Sequence, residues 1–125
     1  MVERILKLPG IYSCWKRDID GPLNNYLYAT MFLSLPTDDK DVLNLTAKDA
    51  TIVIFDEKHL VLTKENDTYY HDSSICNKPL VIYKTLYNFG MAYAREVEEF
   101  LSEVPPGREK DNKSHQKYRF EEYEV

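Results

Sequence analysis

The sequence predicts a mainly β fold: one small, mostly antiparallel barrel or strongly bent sheet with a single short helix. Three observations predict it. Residues 80–87, LVIYKTLY, are a run of β-branched and aromatic side chains that reads as a buried strand. Shorter apolar runs recur along the chain, separated by Pro, Gly, Asn and Asp, the residues that favour turns. A chain of 125 residues, 43% apolar and 13% aromatic, fits one globular domain with one small core.

Taken in order, residues 1–8 carry Val2, Ile5, Leu6 and Leu8 and predict a weakly ordered turn or edge strand before Pro9-Gly10. Residues 11–16 alternate as a first strand, with Ile11, Ser13 and Trp15 on one face and Tyr12, Cys14 and Lys16 on the other. Asp20-Gly21-Pro22 and Asn24-Asn25 mark a loop, and the dense apolar run 26–35 predicts a buried strand ended by Pro36. Residues 42–45 and 51–55 read as strands. Residues 60–63 pair with the latter across Asp56-Glu57-Lys58-His59, a loop that suits four residues around a type I turn. Residues 68–73 lead through a polar loop to the central strand at 80–87 and the break at Asn88-Phe89-Gly90. Over 91–104, helical periodicity aligns Tyr93, Val97, Phe100, Leu101 and Val104 with Phe89 before them, and competes with a strand up to Arg95 followed by a short helix. Pro105-Pro106-Gly107 ends either version, and residues 108–117 form a charged loop.

These segments carry a resemblance. Ile82, Tyr83, Lys84, Leu86, Tyr87, Gly90, Tyr93, Arg95 and Phe100 stand in the order and spacing of the bacterial and phage domain-of-unknown-function family sixteen-fifty-three. The opening Pro9-Gly10-Ile11-Tyr12 with Trp15-Lys16, the stretch around His71-Asp72-Ser73, and the closing Gln116-Lys117-Tyr118-Arg119-Phe120-Glu121 resemble the same family. Cys14 stands where the family has His, and Arg17 where it has Gly, so no role of that histidine carries over. The resemblance covers 9–16 and 67–121 of a single domain spanning 1–125. It implies a barrel of SH3-like size with a short strand at 68–73 and a last strand at 116–121, favours the strand-plus-short-helix reading of 91–104, and leaves about 26–66 as an insertion containing a β-hairpin. Phage occurrence in that family implies a possible role in counter-defence.

The net charge of −5 argues against nonspecific nucleic-acid binding, which clustered Lys and Arg would carry. Cys14 and Cys76 are far apart, without metal-ligand spacing, and predict reduced thiols in a cytoplasmic protein. The N-terminus does not read as a signal peptide, and no apolar run is long enough to span a membrane. No cofactor fingerprint and no hydrolase or zinc-protease motif is present, so the expectation is a non-enzymatic protein without cofactor or metal. Cys14 with His71 would be a nucleophile and base only if something oriented them. The acid clusters Asp18 with Asp20, and Asp38, Asp39 and Asp41, lack calcium-loop spacing.

What remains is a candidate binding surface on the family-like barrel, where the matched motifs place Tyr12, Trp15, Lys16, His71, Tyr83, Tyr87, Arg95 and Arg119, with Lys84 and Tyr93 beside them. Tyr83, Tyr87 and Arg95 suit a planar anionic ligand, through ring stacking and the bidentate fork of a guanidinium. The competing reading has the tyrosines filling the barrel interior and Arg95 paired with Glu98 or Glu99. Two functions follow. One is the binding and sequestration of a small anionic or nucleotide-like ligand; the other is a protein-interaction module docking through the inserted region or an exposed strand edge.

Overall fold

In the computed structural model, residues 4–16, 27–44, 50–86, 90–112 and 115–123 are described. The sequence readings at Asp18, Asp20, the 18–25 loop, Tyr87 and the Asn88-Phe89 turn lie outside them.

The strands are β1 (Gly10–Cys14), β2 (Leu27–Thr37), β3 (Ala50–Phe55), β4 (Lys58–Glu65), β5 (Thr68–Asp72), β6 (Leu80–Thr85), β7 (Tyr93–Glu96) and β8 (Phe120–Glu122). Two short helices, α1 (Lys40–Leu43) and α2 (Val97–Phe100), complete the elements. The ladder runs β5-β4-β3-β7-β6-β2-β1-β8, and β5 also pairs with β2, so the six strands from β2 to β7 close into a barrel. The β2–β5 and β3–β7 contacts are parallel and the remaining ladders antiparallel. Closure leaves β1 and β8 as a flap continuing outward from β2.

Two hairpins set the wall. Phe55 pairs with Lys58 across Asp56-Glu57, and Glu65 pairs with Thr68 across Asn66-Asp67. All four turn residues have positive φ, at 50° and 64° and at 50° and 65°. That geometry matches the right-handed twist of the flanking strands, which a type I turn would splay. The expected four-residue loop at 56–59 is therefore a two-residue turn, with Lys58 and His59 already in β4. Residues 42–45 were expected as strand. Instead the Asp39 carboxylate accepts from the Asp41 amide at 2.9 Å and caps α1, which lies over β4 and β5. The strand-plus-short-helix reading of 91–104 holds in β7 and α2. Residues 27–65, part of the expected insertion, supply β2, β3 and β4, so the hairpin is built into the barrel wall rather than packed outside it.

Around β6 the sheet buries both of its faces. Inside the barrel, Val53, Leu60, Leu62, Leu80, Ile82 and Ala94 pack together, with Phe32 and Tyr69 stacked at 3.9 Å beside them. On the opposite face of β6, Val81 and Tyr83 meet Tyr12, Trp15, Phe100 and Phe120. Phe100 and Phe120 stack at 4.1 Å, and Tyr12 meets Phe100 edge-on at 5.1 Å. Arg4 fastens this outer core by donating to the carbonyls of Leu101 at 2.7 Å and Phe120 at 2.6 Å.

One irregularity lets β2 serve both cores. Thr30 pairs with Tyr83 but Phe32 pairs with Ile82, so Met31 is an extra residue in the ladder. Tyr28 and Thr30 consequently share the outer face with Tyr83, whereas Phe32 and Ser34 point into the barrel.

Candidate functional site

The outer face of β6 and β7 carries Tyr83, Tyr93 and Arg95. Tyr83 and Tyr93 are direct cross-strand partners, and Arg95 lies opposite Val81, which alternates with Tyr83 on that face. The β1–β8 flap curls back over this face. There, beyond the end of β1, the Trp15 amide donates to the Arg119 carbonyl at 2.9 Å. Between flap and wall is a cavity of about 370 Å³.

Its rings come from Trp15, Tyr28, Tyr83, Tyr93 and Phe120, and its cations from Lys16, Arg95 and Arg119. Cys14 also reaches it, and among the described residues no carboxylate lines it. Tyr83 lies against Tyr28 at 5.4 Å and against Tyr93 at 5.8 Å, the latter nearly parallel at 26°. Tyr93 is 37% exposed, so its ring is open to solvent beside the cavity. The Lys16 ammonium lies 5.5 Å from the Trp15 ring and the Arg108 guanidinium 5.2 Å from it, a cation–π environment.

Arg95 is the most constrained cation. Its Nε donates to the Tyr83 hydroxyl at 3.3 Å and its Nη1 to Glu99 Oε1 at 2.7 Å. Burial disfavours its charge, but Tyr83 and Glu99 outweigh that and hold its pKa above the ordinary arginine value. Burial likewise pushes the Tyr83 phenol up, against the lowering effect of Arg95, so Tyr83 stays protonated at neutral pH. Arg119 donates from Nε to Ser102 Oγ at 3.1 Å. Among the described residues, neither Lys16 nor Arg119 has a carboxylate within ion-pair distance.

The structure brings together Trp15, Lys16, Tyr83, Arg95 and Arg119 of the residues expected from sequence. Tyr12 is placed elsewhere. It is buried in the outer core, where its hydroxyl accepts from the Lys7 amide at 3.1 Å. His71 is on the other side of the wall, fully buried in the barrel. Its Nε2 donates to the Cys76 carbonyl at 3.0 Å, which leaves Nδ1 to accept from the Ser34 hydroxyl at 2.7 Å. Both ring nitrogens are thus engaged, and His71 has no free nitrogen to act as a base for Cys14. Burial also pushes the Cys14 thiol up, away from thiolate character.

Tyr83 does not fill the barrel interior, since its side chain is on the outer face, and the ion-pair partner of Arg95 is Glu99. Tyr28, Phe120 and Cys14 were not among the expected site residues. Phe120 adjoins Arg119 in the closing motif, so its position was a usable signal. Tyr28 was concealed by the extra residue at Met31, because simple alternation groups it with Phe32.

Asp39 is engaged in capping α1, and no group of His, Cys, Asp or Glu among the described residues is arranged to hold a metal ion. No helix among them is long and apolar enough to cross a membrane. No protein-family model, curated protein or solved structure matches the chain.

Proposed function

We propose that the cavity binds a small anionic, nucleotide-like ligand and that the protein acts by capturing it rather than transforming it. One observation carries this reading: Lys16, Arg95 and Arg119 converge with five aromatic rings on one cavity, in a chain whose net charge is −5. Cations gathered against the overall charge favour an anion, and the rings offer a planar group its stacking surface. The volume suits a small molecule rather than a macromolecular segment.

A thermal-shift and calorimetric screen against 5′-mononucleotides, cyclic nucleotides and inorganic phosphate tests the reading. A ligand that binds only the folded state must raise the melting midpoint with concentration. Lys16→Ala and Arg119→Ala should each weaken that binding about tenfold, the usual loss on removing a charge-assisted hydrogen bond. No shift at millimolar ligand, or equal shifts in both variants, would overturn it.

A second reading has its own observation. Ile52 and Val61 are cross-strand partners on the outer wall, 50% and 51% exposed. An exposed apolar pair of this kind on the β3–β4 hairpin favours a protein partner docking there. Loss of ligand binding throughout the screen would shift the assignment to this surface.

A further inference from the structure

We infer that Glu99 is a built-in competitor for the anion, occupying Arg95 until a ligand displaces it. The inference rests on the anion-binding reading. Arg95 lines two cavities at once: the cationic one, and a neighbour of about 290 Å³ to which Asp56, Glu96 and Glu99 contribute the acids. Glu99 lies one helical turn beyond Arg95, and its carboxylate takes the Nη1 donor at 2.7 Å from the acidic side. Tyr83 takes Nε, so the guanidinium is anchored at its inner end while its outer end is claimed by Glu99.

The pair is well placed to open. The Arg95 side chain is 32% exposed and that of Glu99 46%, so water can take over either partner at low cost. An anion entering the cationic cavity must share Arg95 with Glu99 or replace it. Competition of this kind lowers apparent affinity by the fraction of molecules in which Arg95 is released. Glu98 provides an internal comparison. It carries the same charge one residue away but pairs with Lys78 at 3.5 Å and borders an apolar groove with Leu33 and Pro79.

The test is calorimetric titration of 5′-AMP and of inorganic phosphate into the wild type, Glu99→Gln and Glu98→Gln, with circular-dichroism melts to establish that each is folded. Glu99→Gln should bind about two- to fivefold more tightly, the range set by an exposed ion pair, and Glu98→Gln should match the wild type. Glu99→Asp, whose shorter arm draws the carboxylate back from Arg95, should fall between and serves equally if the glutamine variant does not fold. Equal or weaker binding by Glu99→Gln, or the same gain in Glu98→Gln, overturns the inference while leaving anion binding intact. Absence of binding in every protein overturns the anion reading itself.

Discussion

His71 is held neutral by its surroundings. Burial lowers its pKa below 6.5, with the Cys76 carbonyl and Asp72 offsetting this only in part. The unfolded chain therefore takes up this proton first as the pH falls. The contribution of His71 to stability is complete above about pH 6.5 and declines as the pH drops toward the lower folded-state value. Urea melts at pH 7.5 and 5.0 should show a loss of stability in the wild type that is smaller in His71→Gln, whose amide can keep both hydrogen bonds. Identical losses would refute this account. The buried role of His71 could not be read from sequence, because a histidine near Asp72-Ser73 looks the same whether its strand faces a cavity or the barrel. Arg95 and Tyr83 were legible because they alternate on strands separated by a recognisable break, whereas Tyr12 needed the tertiary fold to show that Phe100 covers it.

The hairpin turns show where the elements store local strain. Asp56-Glu57 and Asn66-Asp67 hold left-handed backbone without glycine, and Glu57, at φ 64°, bears this with a long side chain. Glu57→Gly should stabilise the protein by about 1 kcal/mol, reversing the usual cost of glycine. A lower denaturation midpoint for the variant would show that the turn is not strained. Strand existence was legible wherever apolar runs met turn residues, as at 51–55 and 80–85. Turn type was not, since two-residue turns of this hand are signalled by Asn-Gly or Asp-Gly and neither pair stands at 56–57 or 66–67. Residues 42–45 misled because Val42, Leu43 and Leu45 suit a strand, while the deciding signal was the Asp39 cap upstream.

At the scale of the molecule, the barrel is closed unevenly. The β2–β6 ladder joins six residue pairs, whereas β3 meets β7 through Ile54–Tyr93 and Phe55–Ala94, supported by the Ile54 amide bonding to the Ala92 carbonyl at 2.9 Å. Native-state hydrogen exchange should release the Ile54 amide before those in the β2–β6 ladder, because fewer hydrogen bonds must open. Uniform exchange across both ladders would contradict this. The barrel was expected, but which strands close it was not legible in the sequence, since the β2–β5 and β3–β7 pairings join segments with no local signal for one another. The extra residue at Met31 carries a different consequence, concerning how such a protein can change over time. Deletion of the Met31 codon would make Thr30 and Phe32 consecutive residues opposite Tyr83 and Ile82, so regular alternation would keep Tyr28 at the cavity and Phe32 in the core. Insertion of a further residue beside Thr30 or Phe32 has no such slack to take up and would exchange the inward and outward rows on one side. Descendants of this chain can therefore shorten this strand by one residue here more readily than they can lengthen it.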